Sequence, residues 1–227
     1  MTGKPMQLCV RGVGLSYGDR PVLRDASFTL EPRGRSLLLG PSGSGKSSLL
    51  NIICGLQTPN TGEVALGEHL IASTTNKVRP DAVRKRHMGI IFQTLRLVSA
   101  LSIRANLLLA QRLQTGAVDP ALVDATLERL SISGRAKARP FELSQGEAQR
   151  AAIARAVIVK PSILIADEPT SALDHENTRI VARLLIEAAG EAGASLLIAT
   201  HDDRLLPYFE NTLKLADGRL IHDGVAA

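Results

Sequence analysis

The chain has 227 residues, of which 44% are apolar, 22% are charged and 3% are aromatic, a balance that fits one large globular domain and excludes disordered, collagen-like and coiled-coil chains. The formal net charge of +5 suits phosphate ligands, anionic membrane surfaces or nucleic acid, although so few aromatic residues argue against stacking platforms for single-stranded nucleic acid. Two distant cysteines, no signal peptide and no apolar run of the ~18–20 residues that span a bilayer predict a soluble protein of a reducing compartment.

Short apolar runs separated by turn residues predict strands in the first part of the chain. Gly18–Pro21 has the chemistry of a turn, and Gly67 is expected to lie between two short strands of a hairpin. A glycine-rich loop follows the third run, and a helix is expected to start near Lys46. The predicted strands are residues 7–17, 27–31, 36–39, 63–66, 69–71 and 88–92.

Between Ser102 and Val159 the apolar residues recur at helical spacing, which predicts an all-helical insertion in an otherwise mixed sheet. The residues with this spacing are Ile103, Leu107, Ala110, Leu113, Leu122, Val123, Leu127 and Leu130.

Strands and helices then alternate, which predicts a parallel sheet. The strands expected here are residues 163–166, 195–199, 213–215 and 220–222, the last two flanking a turn at Asp217–Gly218. A helix is expected between the first two, and its apolar face consists of Ile180, Val181, Leu184, Leu185 and Ala188.

The glycine-rich loop has the pattern GxxxxGK followed by Ser, between a predicted strand and a predicted helix. Its glycines let successive N–H groups converge on phosphate oxygens, and the helix N-terminus adds a favourable dipole. Lys46 is expected to reach the β- and γ-phosphates and the Ser47 hydroxyl to bind Mg²⁺, whereas an ordinary glycine-rich turn would not need Lys and Ser at this offset. The predicted nucleotide-binding residues are Gly40, Pro41, Ser42, Gly43, Ser44, Gly45, Lys46, Ser47 and Ser48.

Two adjacent carboxylates, Asp167 and Glu168, follow the apolar run 163–166. The carboxyl ends of parallel strands face the ligand crevice, so Asp167 is expected to hold Mg²⁺ and Glu168 to act on the attacking water. Solvated acids at a turn are the alternative. Together with the phosphate loop, the pair predicts hydrolysis of a nucleoside triphosphate.

Six motifs in a fixed order resemble the nucleotide-binding subunit of ATP-binding cassette (ABC) transporters, over nearly the whole chain. Besides the phosphate loop and the acidic pair, the motifs are Gln93 of the Q-loop, Leu143–Glu147 in place of the LSGGQ signature, Ser171–Asp174 of the D-loop and His201 as the switch histidine. In addition, Tyr17 stands where the family has an aromatic under the adenine. The segments Ile91–Gln93, Leu101–Asn106 and Ala166–Asp174 are most similar to the lipoprotein-release, macrolide-efflux and cell-division group.

This resemblance implies an α/β fold, a P-loop NTPase cassette with a mixed, mainly parallel sheet core, an antiparallel β subdomain and an all-helical insertion. Residues 1–227 are expected to form this single ATPase domain. Residues 1–93 and 160–227 are expected to be the core with its β subdomain, and residues 94–159, approximately, the helical subdomain.

The resemblance also implies a homodimer that encloses two ATP molecules with Mg²⁺ and drives a separate integral membrane permease. The subunit is then cytoplasmic and peripheral, attached through its permease to the cytoplasmic face of the plasma membrane, with no nucleic-acid partner. Asp174 acts across the dimer or caps the following helix. The implied site residues are Lys46, Glu168 and His201 for catalysis, Tyr17 and Gln93 with the phosphate loop for ATP, Ser47, Gln93 and Asp167 for the metal, and Ser144, Gln145, Gly146 and Glu147 for the ATP of the opposite subunit.

The signature departs from the family at two positions, since Gln145 stands where Gly is usual and Glu147 where Gln is usual. Ser144 and the Gly146 amide, at a helix N-terminus, are expected to suffice for binding an anion. The departures leave open how affinity or the rate of dimerisation is altered.

Single residues have plainer alternatives: Tyr17 as strand-end packing, Gln93 as a surface residue and His201 as a turn residue. The alternative function is a soluble cassette ATPase that acts on nucleic acid in chromosome maintenance or repair. Such proteins carry coiled coils or zinc insertions, which residues 51–142 lack, and translation-factor relatives carry two cassettes in one chain.

Three further segments have simpler or secondary interpretations. The basic run Arg84–His87 is interpreted as a solvated helix end rather than a nucleic-acid patch, and Cys54 as a packed thiol. In Thr94–Gln114, apolar residues among arginines predict a groove for a short permease helix, with Arg96 and Arg104 as candidate contacts, and core packing as the alternative.

Overall fold

Two sheets and six helices make up the parts of the chain that the computed structural model describes, residues 5–75, 78–171 and 173–222. The strands are β1 (Leu8–Tyr17), β2 (Arg20–Leu30), β3 (Arg35–Leu39), β4 (Thr61–Leu66), β5 (His69–Ser73), β6 (Met88–Ile91), β7 (Ile163–Asp167), β8 (Ser195–Thr200), β9 (Asn211–Ala216) and β10 (Arg219–His222). The helices are α1 (Lys46–Ile53), α2 (Pro80–His87), α3 (Ile103–Thr115), α4 (Pro120–Arg129), α5 (Gln145–Val157) and α6 (His175–Ala192).

The larger sheet has the strand order β10-β9-β3-β8-β7-β6, and only the β9–β10 pair is antiparallel. The smaller sheet, β2-β1-β4-β5, is antiparallel throughout. The predicted mixed, mainly parallel core and the predicted antiparallel sheet are therefore confirmed. The strand predicted at 27–31 is longer than expected, because β2 pairs with β1 from Arg20 onwards and the turn is confined to Gly18 and Asp19.

The larger sheet separates two hydrophobic cores, because successive residues of a strand face opposite sides. Leu37 and Leu39 of β3 pack with the apolar faces of α3, α4, α5 and α6, whereas Leu38 packs with α1 and the smaller sheet. A strand that is buried on both faces has apolar residues at nearly every position, and this continuous apolar pattern is what predicted the central strands from the sequence. Consequently α1 and α5 lie on opposite faces of the larger sheet.

Residues 102–159 form helices and two 3-10 turns, Ser133–Arg135 and Pro140–Glu142, as predicted. Two residues assigned to apolar helix faces are instead exposed, Leu113 by 61% and Ile180 by 38%. Ile180 lies outside the buried stripe of α6, which contains Val181, Ala182 and Leu185. None of the helices in the described ranges combines the length and hydropathy that a bilayer span requires.

The basic run Arg84–His87 ends α2, a helix without a buried residue, which confirms the prediction of a solvated helix end. Arg84 donates to the carbonyl oxygens of Cys54 and Gly55 at 3.0 and 3.3 Å. Cys54 is only 2% exposed, and burial raises the pKa of its thiol to about 12, as expected for a packed thiol.

Two glycines with nearly the same positive φ allow a test of close packing in the smaller sheet. At Gly62, with φ of 83°, an added Cβ would lie 2.3 Å from the carbonyl oxygen of Gly12 and 2.4 Å from that of Arg11. At Gly116, with φ of 78°, it would meet nothing within 4 Å. We expect Gly62→Ala to lower the free energy of unfolding by at least about 3 kcal/mol and Gly116→Ala by about 1 kcal/mol, measured by urea denaturation. Equal losses would show that the backbone contact at Gly62 is unimportant.

Candidate nucleotide-binding site

The glycine-rich loop connects β3 to α1, and its backbone disfavours side chains at several glycines. Gly43 and Gly45 have φ of 81° and 105°, which side chains disfavour. At Gly40 an added Cβ would lie 2.3 Å from the carbonyl oxygen of Leu215. Because the helix N-cap, Gly45, has no side chain, the first-turn N–H groups of α1 are left to a ligand, which suits an anion.

Lys46 lies under this loop, with a side chain only 5% exposed. Its ammonium group donates to the carbonyl oxygens of Gly40 and Pro41 at 2.8 and 3.1 Å. The same nitrogen is 3.3 Å from a carboxylate oxygen of Glu168. A buried charge needs such partners, so the lysine is fixed where phosphate oxygens would enter.

Asp167 ends β7 and its Oδ1 is buried without a hydrogen-bond partner among the described residues. Burial raises the pKa of its carboxyl group, and the neighbouring charge of Glu168 adds to this, while a hydrogen bond from Ser47 and the charge of Lys46 oppose it. Ser47 and Asp167 thus bring two oxygen ligands together, which fits Mg²⁺. In the described residues no group of three or more His, Cys, Asp or Glu could hold a metal, so phosphate oxygens and water would complete the shell.

Glu168 follows Asp167 with a positive φ of 49° and a side chain 9% exposed. Its carboxylate accepts a hydrogen bond from the Thr200 hydroxyl at 3.0 Å and lies 3.0 Å from Nδ1 of His201. Burial opposes ionisation, but the hydrogen bonds from His201 and Thr200 and the charge of Lys46 outweigh it, so the pKa of Glu168 is lowered. The result is an ionised carboxylate beside the phosphate loop, able to orient or deprotonate water.

Tyr17 borders the same crevice and is 58% exposed, so the expectation of strand-end packing does not describe it. Its hydroxyl accepts a hydrogen bond from Gln57 at 2.8 Å. The crevice has a volume of about 360 Å³ and is lined by Tyr17, Arg20, Val22, Gly43, Gly45, Lys46, Ser47 and Ser48. An exposed aromatic ring next to a phosphate loop can stack on a base.

Gln93 and the signature are not joined to this cluster by any hydrogen bond or ion pair within the described ranges. Gln93 follows β6 with an exposed side chain. Ser144 is the N-cap of α5, exposed like Gln145, and α5 lies on the other face of the larger sheet from α1. Asp174 caps α6 by accepting hydrogen bonds from the backbone and side chain of Asn177 at 2.8 and 2.9 Å.

Three residues next to the site were missed by sequence reasoning. Asp202 accepts a hydrogen bond from the Thr170 hydroxyl at 2.9 Å and two from Arg204 at 2.7 and 2.8 Å. Arg204 also donates to the carbonyl oxygen of Leu173 at 3.3 Å. This cluster ties the loop of His201 to the segment that precedes α6. Thr170 lies 32 residues before Asp202 in the chain, so no local pattern predicts that they meet.

Comparisons with other proteins find relatives in sequence and in structure over most of the chain. A profile of the ABC transporter family matches residues 23–171. The lipoprotein-releasing system ATP-binding protein LolD of Pseudomonas syringae pv. tomato is 36% identical over 227 residues, covering 97% of this chain and 99% of LolD. An uncharacterized ABC transporter ATP-binding protein of Mycobacterium tuberculosis is 37% identical over 204 residues, covering 89% of this chain and 82% of its own.

Among solved structures, the dimeric bacterial ABC transporter cassette MJ0796 superposes with a TM-score of 0.84 at 28% identity, covering 97% of this chain and 99% of that chain. The dimeric post-hydrolysis state of MJ0796 bound to ADP and Pi superposes with a TM-score of 0.86 at 28% identity and the same coverage.

The hydrogen bond from His201 makes the ionisation of Glu168 testable. We expect His201→Ala to raise the pKa of Glu168 towards its ordinary value, because a bond to the ionised form is lost. Ionised Glu168 stabilises the fold fully above the ordinary glutamate pKa, and this stabilisation is lost as the pH falls through the lowered pKa of the folded protein. In His201→Ala the folded pKa is expected to be higher, so the stabilisation should be lost at a higher pH. Carbon-13 NMR titration of the glutamate carboxyl groups measures this, with the Glu168 signal assigned through Glu168→Gln.

The internal control is Glu147, whose pKa of about 2 depends on Arg135 and Ser144 and should not move. An unchanged Glu168 titration in His201→Ala would show that the histidine does not stabilise the ionised carboxylate.

Proposed function

Since this chain belongs to the ABC transporter family and is an ATP-binding, ATP-hydrolysing subunit of that family, we propose that two copies close around two ATP molecules and drive a separate membrane permease. The observation that carries the hydrolytic mechanism is the Glu168 carboxylate, held by Thr200, His201 and Lys46 at the edge of the phosphate loop.

The phosphate loop binds the β- and γ-phosphates with its N–H groups, and Lys46 exchanges the carbonyl oxygens of Gly40 and Pro41 for phosphate oxygens. Ser47 and Asp167, with Gln93, would hold Mg²⁺, which neutralises charge that develops on the phosphates. Tyr17 stacks on the adenine.

Glu168 orients a water molecule and accepts its proton as the water oxygen attacks the γ-phosphorus. The bond between the γ-phosphorus and the bridging oxygen breaks, which leaves ADP and inorganic phosphate. His201 keeps Glu168 in place and contacts the γ-phosphate. The protein forms no covalent bond to the substrate, so catalysis depends on positioning the water and the phosphates and on electrostatic stabilisation of the transition state.

The positions of α1 and α5 support the proposal of a second copy. The signature residues lie at the start of α5, on the far side of the larger sheet from α1. They are Ser144, Gln145, Gly146 and Glu147. They can therefore close on the ATP of another subunit, with Asp174 next to that interface. MJ0796, a relative in fold, forms a dimer with nucleotide, which supports this arrangement.

The process served is proposed to be the release of lipoproteins or related export from the cell envelope, because LolD relatives match over almost the whole chain. The subunit then lies on the cytoplasmic face of the plasma membrane, attached through its permease and without nucleic acid.

The permease is proposed to dock in a groove of about 430 Å³ between α2, β6, α3 and α5. Leu113 lines this groove and is 61% exposed. Arg104, in contrast, is engaged by Asp124 at 2.7 and 2.9 Å, and Arg96 lies 4.4 Å over the Phe92 ring. Reversing the charge of Arg104 would break an internal ion pair, so it is a poor probe of docking. Movement of the proposed helical subdomain, about residues 94–159, would transmit closure to the permease.

The proposed mechanism predicts that Glu168→Gln binds ATP but hydrolyses it slowly. The substitution keeps the shape but removes the proton acceptor, so turnover should fall by at least about 100-fold. The variant should accumulate as an ATP-bound dimer, measured by size-exclusion chromatography beside phosphate release. Adding Ser144→Arg to this variant should preserve ATP binding and abolish the dimer. Wild-type turnover in Glu168→Gln would exclude Glu168 as the catalytic carboxylate.

The proposed docking groove predicts that Leu113→Glu weakens association with the permease by about tenfold, because an exposed apolar contact becomes charged. Val118→Glu is the matched control, since Val118 is 48% exposed but does not line the groove. Pull-down from solubilised membranes measures association, and ATP binding by the purified variants checks the fold. Equal binding by the two variants would place the permease elsewhere.

A further inference from the structure

Both carboxylate oxygens of Glu147, in the signature, accept hydrogen bonds. One of its oxygens accepts a hydrogen bond from the backbone N–H of Ser144 at 2.8 Å, and the other accepts from Nε of Arg135 at 2.8 Å. The hydrogen bond from Arg135, followed by those from Ser144, lowers the pKa of Glu147 to about 2. The first turn of α5 therefore carries a negative charge at neutral pH.

This charge conflicts with the task proposed for the signature. The N-terminus of α5 attracts anions through its N–H groups and its dipole, and the proposed function brings a phosphate to it. A carboxylate in the same turn repels a phosphate, and the repulsion is strong where water is excluded. Glu142, three residues before the helix, adds a second acidic group nearby.

Arg135 supplies the opposite charge from a different element. It ends the 3-10 turn Ser133–Arg135, and its side chain is 52% exposed while that of Glu147 is 18% exposed. The segment around it is anchored to the start of α3, where the N–H of Arg104 donates to Ala136 and that of Ile103 to Ala138, each at 2.9 Å. The guanidinium therefore meets Glu147 from a fixed backbone position.

We propose that Arg135 is a positioning residue of the signature, which neutralises Glu147 and so allows this helix N-terminus to receive the γ-phosphate of ATP from the opposite subunit. The inference rests on the proposed two-chain ATP sandwich. Arg135, which lies outside the signature, then supplies the charge that makes Glu147 as neutral as a glutamine would be by itself. Arg135 acts through Glu147, which in turn caps Ser144, rather than through its own contact with ATP.

A double-mutant cycle in the Glu168→Gln chain tests this, with ATP-dependent dimerisation measured by analytical ultracentrifugation. We expect Arg135→Ala to weaken the dimer by about tenfold, and the same substitution to weaken it by less than about twofold when Glu147→Gln is also present. Arg135→Lys should recover part of the loss, because it keeps the charge. Arg129→Ala, which removes an arginine paired with Glu191, is the control and should leave dimerisation unchanged.

The ATP affinity of the monomer and the thermal unfolding temperature are measured for every variant. Neither should change in parallel with the strength of the dimer. The inference is overturned if Arg135→Ala weakens the dimer equally whether residue 147 is Glu or Gln, because Arg135 then has a purely structural role. It is also overturned if Arg135→Ala weakens the dimer in neither chain. If the Glu168→Gln chain itself forms no ATP-dependent dimer, the sandwich fails, and this inference fails with it. A dimer that forms without coupling between Arg135 and Glu147 leaves the proposed function standing and rejects only the inference.

Discussion

The buried contact between Lys46 and Glu168 is the constraint on which the rest of the site depends. The two side chains are 5% and 9% exposed, and their charged atoms are 3.3 Å apart. Removing two charges from water costs several kcal/mol for each ion, so the surrounding fold must supply their other partners. The carbonyl oxygens of Gly40 and Pro41 do this for the ammonium group, and Thr200 and His201 do it for the carboxylate.

The register of the parallel strands makes this contact possible. Leu39, the last residue of β3, lies opposite Thr200 of β8, and Asp167 of β7 lies opposite Ala199. Three strands therefore end at one edge of the sheet, where the phosphate loop, the two acids and the histidine meet. The backbone N–H of Glu168 donates to the Ala199 carbonyl oxygen at 2.8 Å and keeps the acid at that edge. A shift of one residue would point the carboxylates into a hydrophobic core.

The same sheet also separates the two halves of the proposed catalytic unit. Helix α1 packs with the core that contains Leu38, and helix α5 packs with the core that contains Leu37. The N–H groups at the N-termini of α1 and α5 therefore lie on opposite sides of the larger sheet, and within one chain the phosphate loop and the signature are separated. In the proposed mechanism, this packing explains why hydrolysis needs two chains, and it puts the charge at the start of α5 at the proposed interface. The division into a core and a helical subdomain stays a prediction.

The sequence by itself determined the local parts of this protein. The phosphate loop, the acids at the end of β7 and the helix start at the signature are short patterns whose chemistry depends on neighbouring residues. Buried parallel strands are continuous apolar runs. Only the tertiary structure decided which distant residues meet, such as Arg135 with Glu147 or Thr170 with Asp202, and that Leu113 lies exposed at a groove rather than in the core. These outcomes depend on how helices and strands pack, because a spacing that defines one face of a helix does not say how much of that face a neighbour will cover.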